Sequence, residues 1–328
     1  MTSAQGEQPR VLISIVNWNG YEDTLRCIES LRGQAYDGPS HIIVVDNASR
    51  NDSVKRIRAA VADITLIESP RNDGFAAGHL QSVSYAREHG YPLLWILNPD
   101  LTLHPEALTA LVNAWQEKGD GVFGSISLTS PDDDTIVFAG GHELKNGAEA
   151  SGYNAFKGKS LSATPEALRT RPVTAIEGFS MMVPLSVIDK HGFMDTRYFM
   201  YGEETIWCYD FRKKGVTVYV VPASVVYHRG YGSVTDERPT DNPMVVYYRT
   251  RNYLLWMRKH YGWSRWRVMR KKGGVWSLVR FYMAWLIKGR TWREKNWNNW
   301  YENLAVVHAF LGLRIHPIRA NKFISYMV

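Results

Sequence analysis

Asp46 follows directly on the apolar run at residues 41–45, and Asp100 follows residues 93–97 through Asn98-Pro99. An aspartate at such a place commonly caps the next helix or makes an Asx-turn. Both together, flanked by Asn47 and Asn98, make one edge of the molecule too polar for capping alone. That edge, beyond the carboxyl ends of the strands, is where an α/β sheet binds its ligand. A carboxylate ending a strand can accept hydrogen bonds from a base N–H or a ribose hydroxyl, which suits Asp46. Asp100 suits another task, holding a divalent cation against a diphosphate with hard oxygen ligands. His228 follows the apolar run 216–221 and is expected in a loop with Arg229, Tyr231 and Ser233. A lone histidine is structural more often than ligating. Arg229 reads equally as a fork of donors for phosphate oxygens or as a solvated loop residue. Glu203-Glu204 open a helical stretch, where adjacent acids complement the helix dipole. Gly178-Phe179 reads as a tight turn before a strand, and Asp132-Asp133-Asp134 after Pro131 as a solvated turn. Cys27 and Cys208 read as structural.

These residues need elements to carry them. Residues 11–16, 41–45, 64–67 and 93–97 are short, β-rich apolar runs without helical period, expected as buried strands. Between them lie a helical stretch with Leu25, Ile28 and Leu31 in phase, a short helix from Asp52-Ser53, and a longer helix over 76–89. His104-Pro105-Glu106 opens another, running to about residue 118. Strands alternating with helices predict an α/β fold, a mostly parallel sheet flanked by helices. Residues 1–240 are expected to form this domain. Asn17-Trp18-Asn19-Gly20 follows the first strand in place of G-x-G-x-x-G, and no Walker A loop occurs. A hydride-transfer enzyme and a P-loop ATPase are thereby disfavoured.

Composition narrows the class further. The chain has 328 residues, 45% hydrophobic and 22% charged, as in an ordinary globular protein. Its two cysteines cannot make a disulfide framework or a four-thiolate zinc site, and a reducing compartment follows. Residues 1–10 are polar and resemble no secretory signal, and no apolar stretch reaches the roughly 18 residues of a spanning helix. The net charge of +7 divides unevenly: residues 1–240 carry −7 and residues 241–328 carry +14. Eight of the 12 tryptophans also lie beyond residue 240.

In order along the chain come Ser14-Ile15-Val16-Asn17-Trp18-Asn19, Val45-Asp46-Asn47-Ala48-Ser49, Asn72-Asp73-Gly74-Phe75-Ala76-Ala77-Gly78 and Leu97-Asn98-Pro99-Asp100. Glu177-Gly178-Phe179, Phe199-Met200-Tyr201-Gly202-Glu203-Glu204 and Tyr227-His228-Arg229-Gly230 continue the series. Over roughly residues 10–260 this order resembles the family 2 inverting glycosyltransferases, especially their bacterial rhamnosyltransferase-like branch. The resemblance implies a GT-A nucleotide-binding fold. It implies that Asp46 recognises a pyrimidine base, with Asn17, Asn98 and Arg229 also at the nucleotide. Asn72, Gly74 and Phe75 would form the loop over the nucleoside, and Gly178 and Phe179 would line the sugar and acceptor pocket. Asp100 would be the last acid of a D-x-D metal motif whose first position here is Asn98, with His228 a second ligand for Mg²⁺ or Mn²⁺. Glu204 would be the general base and Glu203 a supporting acid. Glu204 stands where relatives usually have Asp, and Ile206 where many have another.

By that resemblance the activity is inverting, metal-dependent transfer of L-rhamnose from dTDP-rhamnose to a hydroxyl of a growing, lipid-linked cell-surface saccharide. A UDP-hexose or UDP-N-acetylhexosamine transferase of the same fold is the alternative. A catalytically weakened sugar-binding scaffold is another, motivated by Asn98, Glu204 and Ile206. Residues 241–328 read as a basic, Trp-rich helical region. Lys and Arg opposite Trp, Phe and Leu is the composition of an interfacial helix, which favours an anionic membrane surface. Packing back on the protein or a homo-oligomer contact is the second reading of this region. Nucleic acid is disfavoured, since the acidic front would repel a polyanion. The expected location is the cytoplasmic face of the inner membrane, peripherally attached.

Overall fold

The apolar run at the start of the chain becomes strand β1 (Val11–Asn17), buried on both faces as a central parallel strand must be. The structure, a computed structural model, describes residues 7–145, 148–149, 152–228, 243–262, 264, 274–288 and 297–311. Helix α1 (Tyr21–Arg32), β2 (Ser40–Asp46), α2 (Ser53–Ala60), β3 (Thr65–Glu68), α3 (Phe75–His89) and β4 (Leu93–Leu97) follow in the expected alternation. β4, β1, β2 and β3 lie side by side and parallel, with Asn17 opposite Asp46 at the ligand edge.

Next come β5 (Leu101–Leu103), α4 (Ala107–Lys118), β6 (Gly121–Ser130) and β7 (Asp133–Phe138), then the hairpin β8 (Leu144–Lys145) and β9 (Ala148–Glu149). β10 (Arg171–Pro172), β11 (Ser180–Pro184), α5 (Leu185–His191), α6 (Glu203–Lys213) and β12 (Thr217–His228) follow. The main sheet has ten strands, and its second half is mixed. β11 sits antiparallel between β4 and β6, β12 runs parallel to β6, and β5 and β10 pair antiparallel with β12. β11 is reached through a long irregular connection, so the helical crossover that enforces parallel pairing is missing there.

Strand alternation splits the core into two layers. Leu12, Ile43, Leu94 and Ile96 face a layer shared with Ala76 and Val83 of α3 and Trp207 and Phe211 of α6. Ile13, Val44, Trp95 and Leu97 face the opposite layer, built with Cys27 and Ile28 of α1, Ile57 of α2 and Leu111 of α4. The result is a sheet covered on both faces by helices, with Asn17 and Asp46 side by side at one edge.

One expectation needs correction. His228 is not in a loop: β12 continues past Pro222 through a register shift between Val221 and Val225, so His228 ends the strand opposite Leu101. The aspartate run is the exposed turn expected, at residues 131–132, and it leads into β7. Asp133 opens β7, and the Asp134 carboxylate accepts from the Ser162 N–H (2.8 Å) and Ser160 Oγ (3.0 Å), which holds it below the usual carboxylate range.

By contacts the chain divides into two units, Met1–Asp195 with Glu204–Ser233, and Thr196–Glu203 with Val234–Val328. In the second, α7 (Pro243–Tyr261), α8 (Gly274–Ile287) and α9 (Trp297–Leu311) are helical, as the sequence pattern suggests for residues 243–287. α7 and α9 pack on each other through Leu254, Val306 and Ala309, and Tyr247 and Tyr248 join Phe199, Tyr301 and Ala305 in a second cluster. Tyr247 Oη lies 2.7 Å from His308 Nδ1, a buried polar pair. α7 thus buries one face within its own unit, while Arg249, Tyr253 and Lys259 stay exposed. No described helix is long and apolar enough to cross a membrane.

Candidate active site

Strand β2 delivers Asp46 to the ligand edge 1% exposed. Its Oδ1 accepts from the Ser49 N–H (2.8 Å), and its Oδ2 accepts from Ser49 Oγ and Asn17 Nδ2 (both 2.6 Å). The first bond is the turn-capping role expected of any such aspartate. A carboxylate offers about four acceptor positions, so room for one more donor remains. Asn17 has no such room. Its Nδ2 reaches Asp46 and Ser49, and its Oδ1 accepts from Thr24 Oγ1 (2.9 Å) and the Gly20 N–H (3.3 Å). The structure therefore makes Asn17 a strut that holds Asp46. Ser49 and Thr24 are supporting residues to which the sequence reading assigned no role; the Asp46-to-Ser49 spacing was the visible signal.

The next loop is stitched to this one. Asn47 Nδ2 donates to the Gly74 carbonyl (2.9 Å), and Asn72 Oδ1 accepts from the Gly74 N–H (2.9 Å). Gly74 has φ 94, a conformation that favours glycine, and it launches α3 at Phe75. The Phe75 ring stands edge-on to His79 at 4.4 Å. His79 is fully buried, lies 2.7 Å from Ser14 Oγ through Nδ1, and is driven down to about 3 by burial, so it is neutral.

Asn98, Pro99 and Asp100 bridge β4 to β5 at the same edge. The Asn98 N–H donates to the Phe179 carbonyl (2.9 Å), which ties this segment to the start of β11. Asp100 and His228, 128 residues apart, meet: His228 Nε2 lies 3.1 Å from both carboxylate oxygens. The side chains are 28% and 11% exposed, accessible enough for a ligand to share. Phe179 packs its ring 5.5 Å from that of His228. Arg229 lies outside the described residues.

Glu203 begins α6 and is buried, and Glu204 follows it half-buried. Glu204 lies over Gly178, where an added Cβ would stand 3.4 Å from Glu204 Cβ and Cγ and 3.3 Å from Phe75 Cζ. Glycine at 178 therefore provides the space in which the Glu204 stem and the Phe75 ring come together. Contacts run from Glu204 through Gly178 and Phe179 to His228 and Asp100, and from Phe75 back to the Asp46 loop. The sequence-selected residues of the described sheet unit converge on one edge.

Asp100 and His228 fit a divalent cation as a two-residue set, carboxylate plus imidazole. Among the described residues no group of three or more His, Cys, Asp or Glu is gathered. Such a pair needs the ligand's own oxygens to complete the shell. The cysteines take no part. Burial pushes the Cys208 thiol up to about 12, and burial with the Asp100 charge pushes Cys27 up as well.

Residues 12–171 match the family described as Glycosyl transferase family 2. The chain is 26% identical over 208 residues to the low-salt glycan biosynthesis hexosyltransferase Agl10 of Haloferax volcanii, spanning 63% of this chain and 62% of that protein. It is 24% identical over 250 residues to the dTDP-rhamnosyl transferase RfbF of Shigella flexneri, covering 74% and 78%. It is 24% identical over 252 residues to the N-acetylglucosaminyl-diphospho-decaprenol L-rhamnosyltransferase of Mycobacterium tuberculosis, covering 70% and 79%. Among solved structures, the mannosyltransferase PcManGT from Pyrobaculum calidifontis, in complex with GDP-Man and Mn²⁺, superposes with TM-score 0.53 at 13% identity, over 93% of this chain and 87% of that one. GalNAc-T7 with UDP, GalNAc and Mn²⁺ gives 0.56 at 15%, over 88% and 56%. These likenesses place the sheet in the GT-A fold.

Proposed function

The chain belongs, through residues 12–171, to glycosyl transferase family 2, and on that premise we propose that it transfers L-rhamnose, with inversion, from dTDP-rhamnose to a hydroxyl of a lipid-linked saccharide. The observation that carries this reading is the seat of Glu204 against Gly178, one residue from the Phe179 that packs on the Asp100–His228 pair. Inverting transfer needs an acceptor-activating base and a diphosphate anchor on one edge, and those are the two ends of this contact chain.

In the step itself the Glu204 carboxylate takes the proton of the acceptor hydroxyl. That oxygen bonds to the anomeric carbon from the face opposite the diphosphate, and the bond to the diphosphate oxygen breaks with its electron pair leaving on dTDP. Asp100 and His228 would hold Mg²⁺ or Mn²⁺, which when bound supplies positive charge to the leaving diphosphate. Asp46 receives the N3–H of the pyrimidine with its remaining acceptor position, held by Asn17 and Ser49. Phe75 closes over the nucleoside from the Asn72–Gly74 turn. Phe179 keeps the His228 side of the site apolar.

Identity to two rhamnosyltransferases supports rhamnose as the donor sugar. A UDP-linked hexose is the second reading, supported by the likeness to a hexosyltransferase; thymine and uracil present the same N3–H to Asp46. The acceptor is set at a membrane surface. The support is α8, where Val279, Met283, Leu286 and Ile287 are 42, 51, 70 and 75% exposed at helical spacing.

Calorimetry with dTDP, UDP, GDP and dTDP-rhamnose, with and without Mg²⁺ or Mn²⁺, tests the donor site. Cation-dependent binding of dTDP, weakened by Asp46→Ala and by Asp100→Ala, is expected. Glu204→Gln is expected to keep that binding and lose turnover. Absence of nucleotide binding under every cation condition would remove the reading.

A further inference from the structure

Immediately ahead of Glu204 the chain takes an unusual path. Thr196–Tyr198 makes a single 3₁₀ turn, and Phe199, Tyr201 and Gly202 then stand at φ 64, 67 and 91. Phe199 and Tyr201 are bulky residues in the left-handed region, which persists only where surroundings over-determine it. The source of that constraint is distant in sequence. Asn252, on α7, directs Nδ2 at the carbonyls of Tyr198 (2.9 Å), Met200 (2.9 Å) and Tyr201 (2.8 Å). Arg251 donates through Nη2 to the Arg197 carbonyl (2.8 Å), and through Nη1 to Asn252 Oδ1 (2.8 Å). That last bond fixes which way the Asn252 amide points, since only the oxygen end can accept from a guanidinium. Both residues are 1% exposed. The Phe199 ring stacks on Tyr248 of the same helix at 5.1 Å.

A buried arginine and a buried asparagine aimed at successive carbonyls of one irregular segment is more than helix packing requires. Apolar residues would fill the same space without the cost of desolvating a charge. The segment ends at Glu203, where α6 begins, and Glu204 is one peptide bond further on. We propose that Arg251 and Asn252 are positioning residues for the transfer step. By holding the carbonyls of residues 197–201 they set where α6 starts, and so the direction in which Glu204 leaves the backbone. This inference rests on the reading of Glu204 as the base. It assigns to α7 a task beyond any attachment of the C-terminal region to a membrane, that of holding the segment that leads into Glu204.

The test uses the full chain carrying Asn252→Ala, with Arg251→Lys as a milder variant that keeps the charge but loses the paired donors. Turnover is followed with dTDP-rhamnose and N-acetylglucosaminyl-diphospho-decaprenol, dTDP affinity by calorimetry, and amide hydrogen exchange over residues 199–207. Asn252→Ala is expected to lower kcat about 100-fold, the effect of roughly 1 Å of misplacement, with donor KM and dTDP affinity within about threefold. Exchange at residues 199–207 should rise while that of β1 and β4 stays unchanged. Arg251→Lys should fall between the variant and the parent protein. A folded Asn252→Ala protein with parental kcat, or with parental exchange over residues 199–207, overturns the inference. Equal loss of dTDP affinity and kcat overturns it too, since that marks general destabilisation. If Glu204→Gln keeps its turnover, the base assignment fails instead. If the parent protein does not turn over this acceptor, the acceptor reading fails, and the exchange result alone decides for or against the clamp.

Discussion

At the scale of the residue, Gly178 carries the sharpest expectation. Its missing side chain leaves space for the Glu204 stem and for Phe75, both within 3.4 Å of where a Cβ would sit. Gly178→Ala would push one of them by a few tenths of an ångström. We expect folding and dTDP affinity to be kept and kcat to fall on the order of tenfold. An unchanged kcat in steady-state assays would mean that Glu204 does not depend on this seat. Single residues were also where the sequence was most readable. Asp46, Asp100 and Glu204 stand at strand ends and a helix start, and local pattern exposes such places. That Asn17 hydrogen-bonds Asp46 was not readable, because their opposition comes from the β1–β2 register. The meeting of Asp100 with His228 was expected only through the family resemblance, since locally it depends on β5 pairing with β12.

At the scale of the element, continuous apolar runs announced β1 to β4, and the helical phase of Leu25, Ile28 and Leu31 announced α1. The second half of the sheet was harder. β11 is five residues long, β10 two, and β12 crosses a proline that ends the run when read locally. Their places are decided by partners far along the chain. In the C-terminal helices, composition suggested one basic, aromatic surface, whereas the helices differ from one another. α7 buries Tyr247, Tyr248, Arg251 and Asn252, while α8 exposes Leu286 and Ile287. Flotation with anionic liposomes should therefore depend on α8. Leu286→Glu with Ile287→Glu is expected to abolish co-flotation at low salt, and Tyr253→Glu on α7, also exposed, to leave it nearly unchanged. Equal flotation of all three proteins would sink the membrane assignment of α8.

At the scale of the whole molecule, each unit carries a histidine held neutral by burial. In the sheet unit His79 is driven down to about 3, and in the helical unit His308 to about 4. The unfolded chain takes up those protons near the ordinary value of about 6.5, while the folded chain refuses them until far lower. Stability is therefore present above pH 6.5 and is lost as pH falls from there toward 4. For fully buried His79 the loss approaches about 1.4 kcal/mol per pH unit. Urea unfolding from pH 7.5 to 5 should show this decline, and His79→Asn should flatten it. A profile with equal slope in the variant would show that other groups dominate. The segregation of charge along the chain was legible from composition. That residues 196–203 belong with the C-terminal helices was not, because side-chain bonds from α7 determine it.

The strand order has a bearing on synthesis. As the chain leaves the ribosome, β1 to β4 can assemble once residue 97 has emerged, and with them the Asp46 loop and the Phe75 turn. β5 cannot find its partner until β12 appears, so Asp100 waits for His228 across 128 residues of translation. A product terminated before residue 228 would thus have the Asp46 loop and the Phe75 turn but lack the imidazole that faces Asp100. The Asp100–His228 pair forms only after most of the sheet has been synthesised.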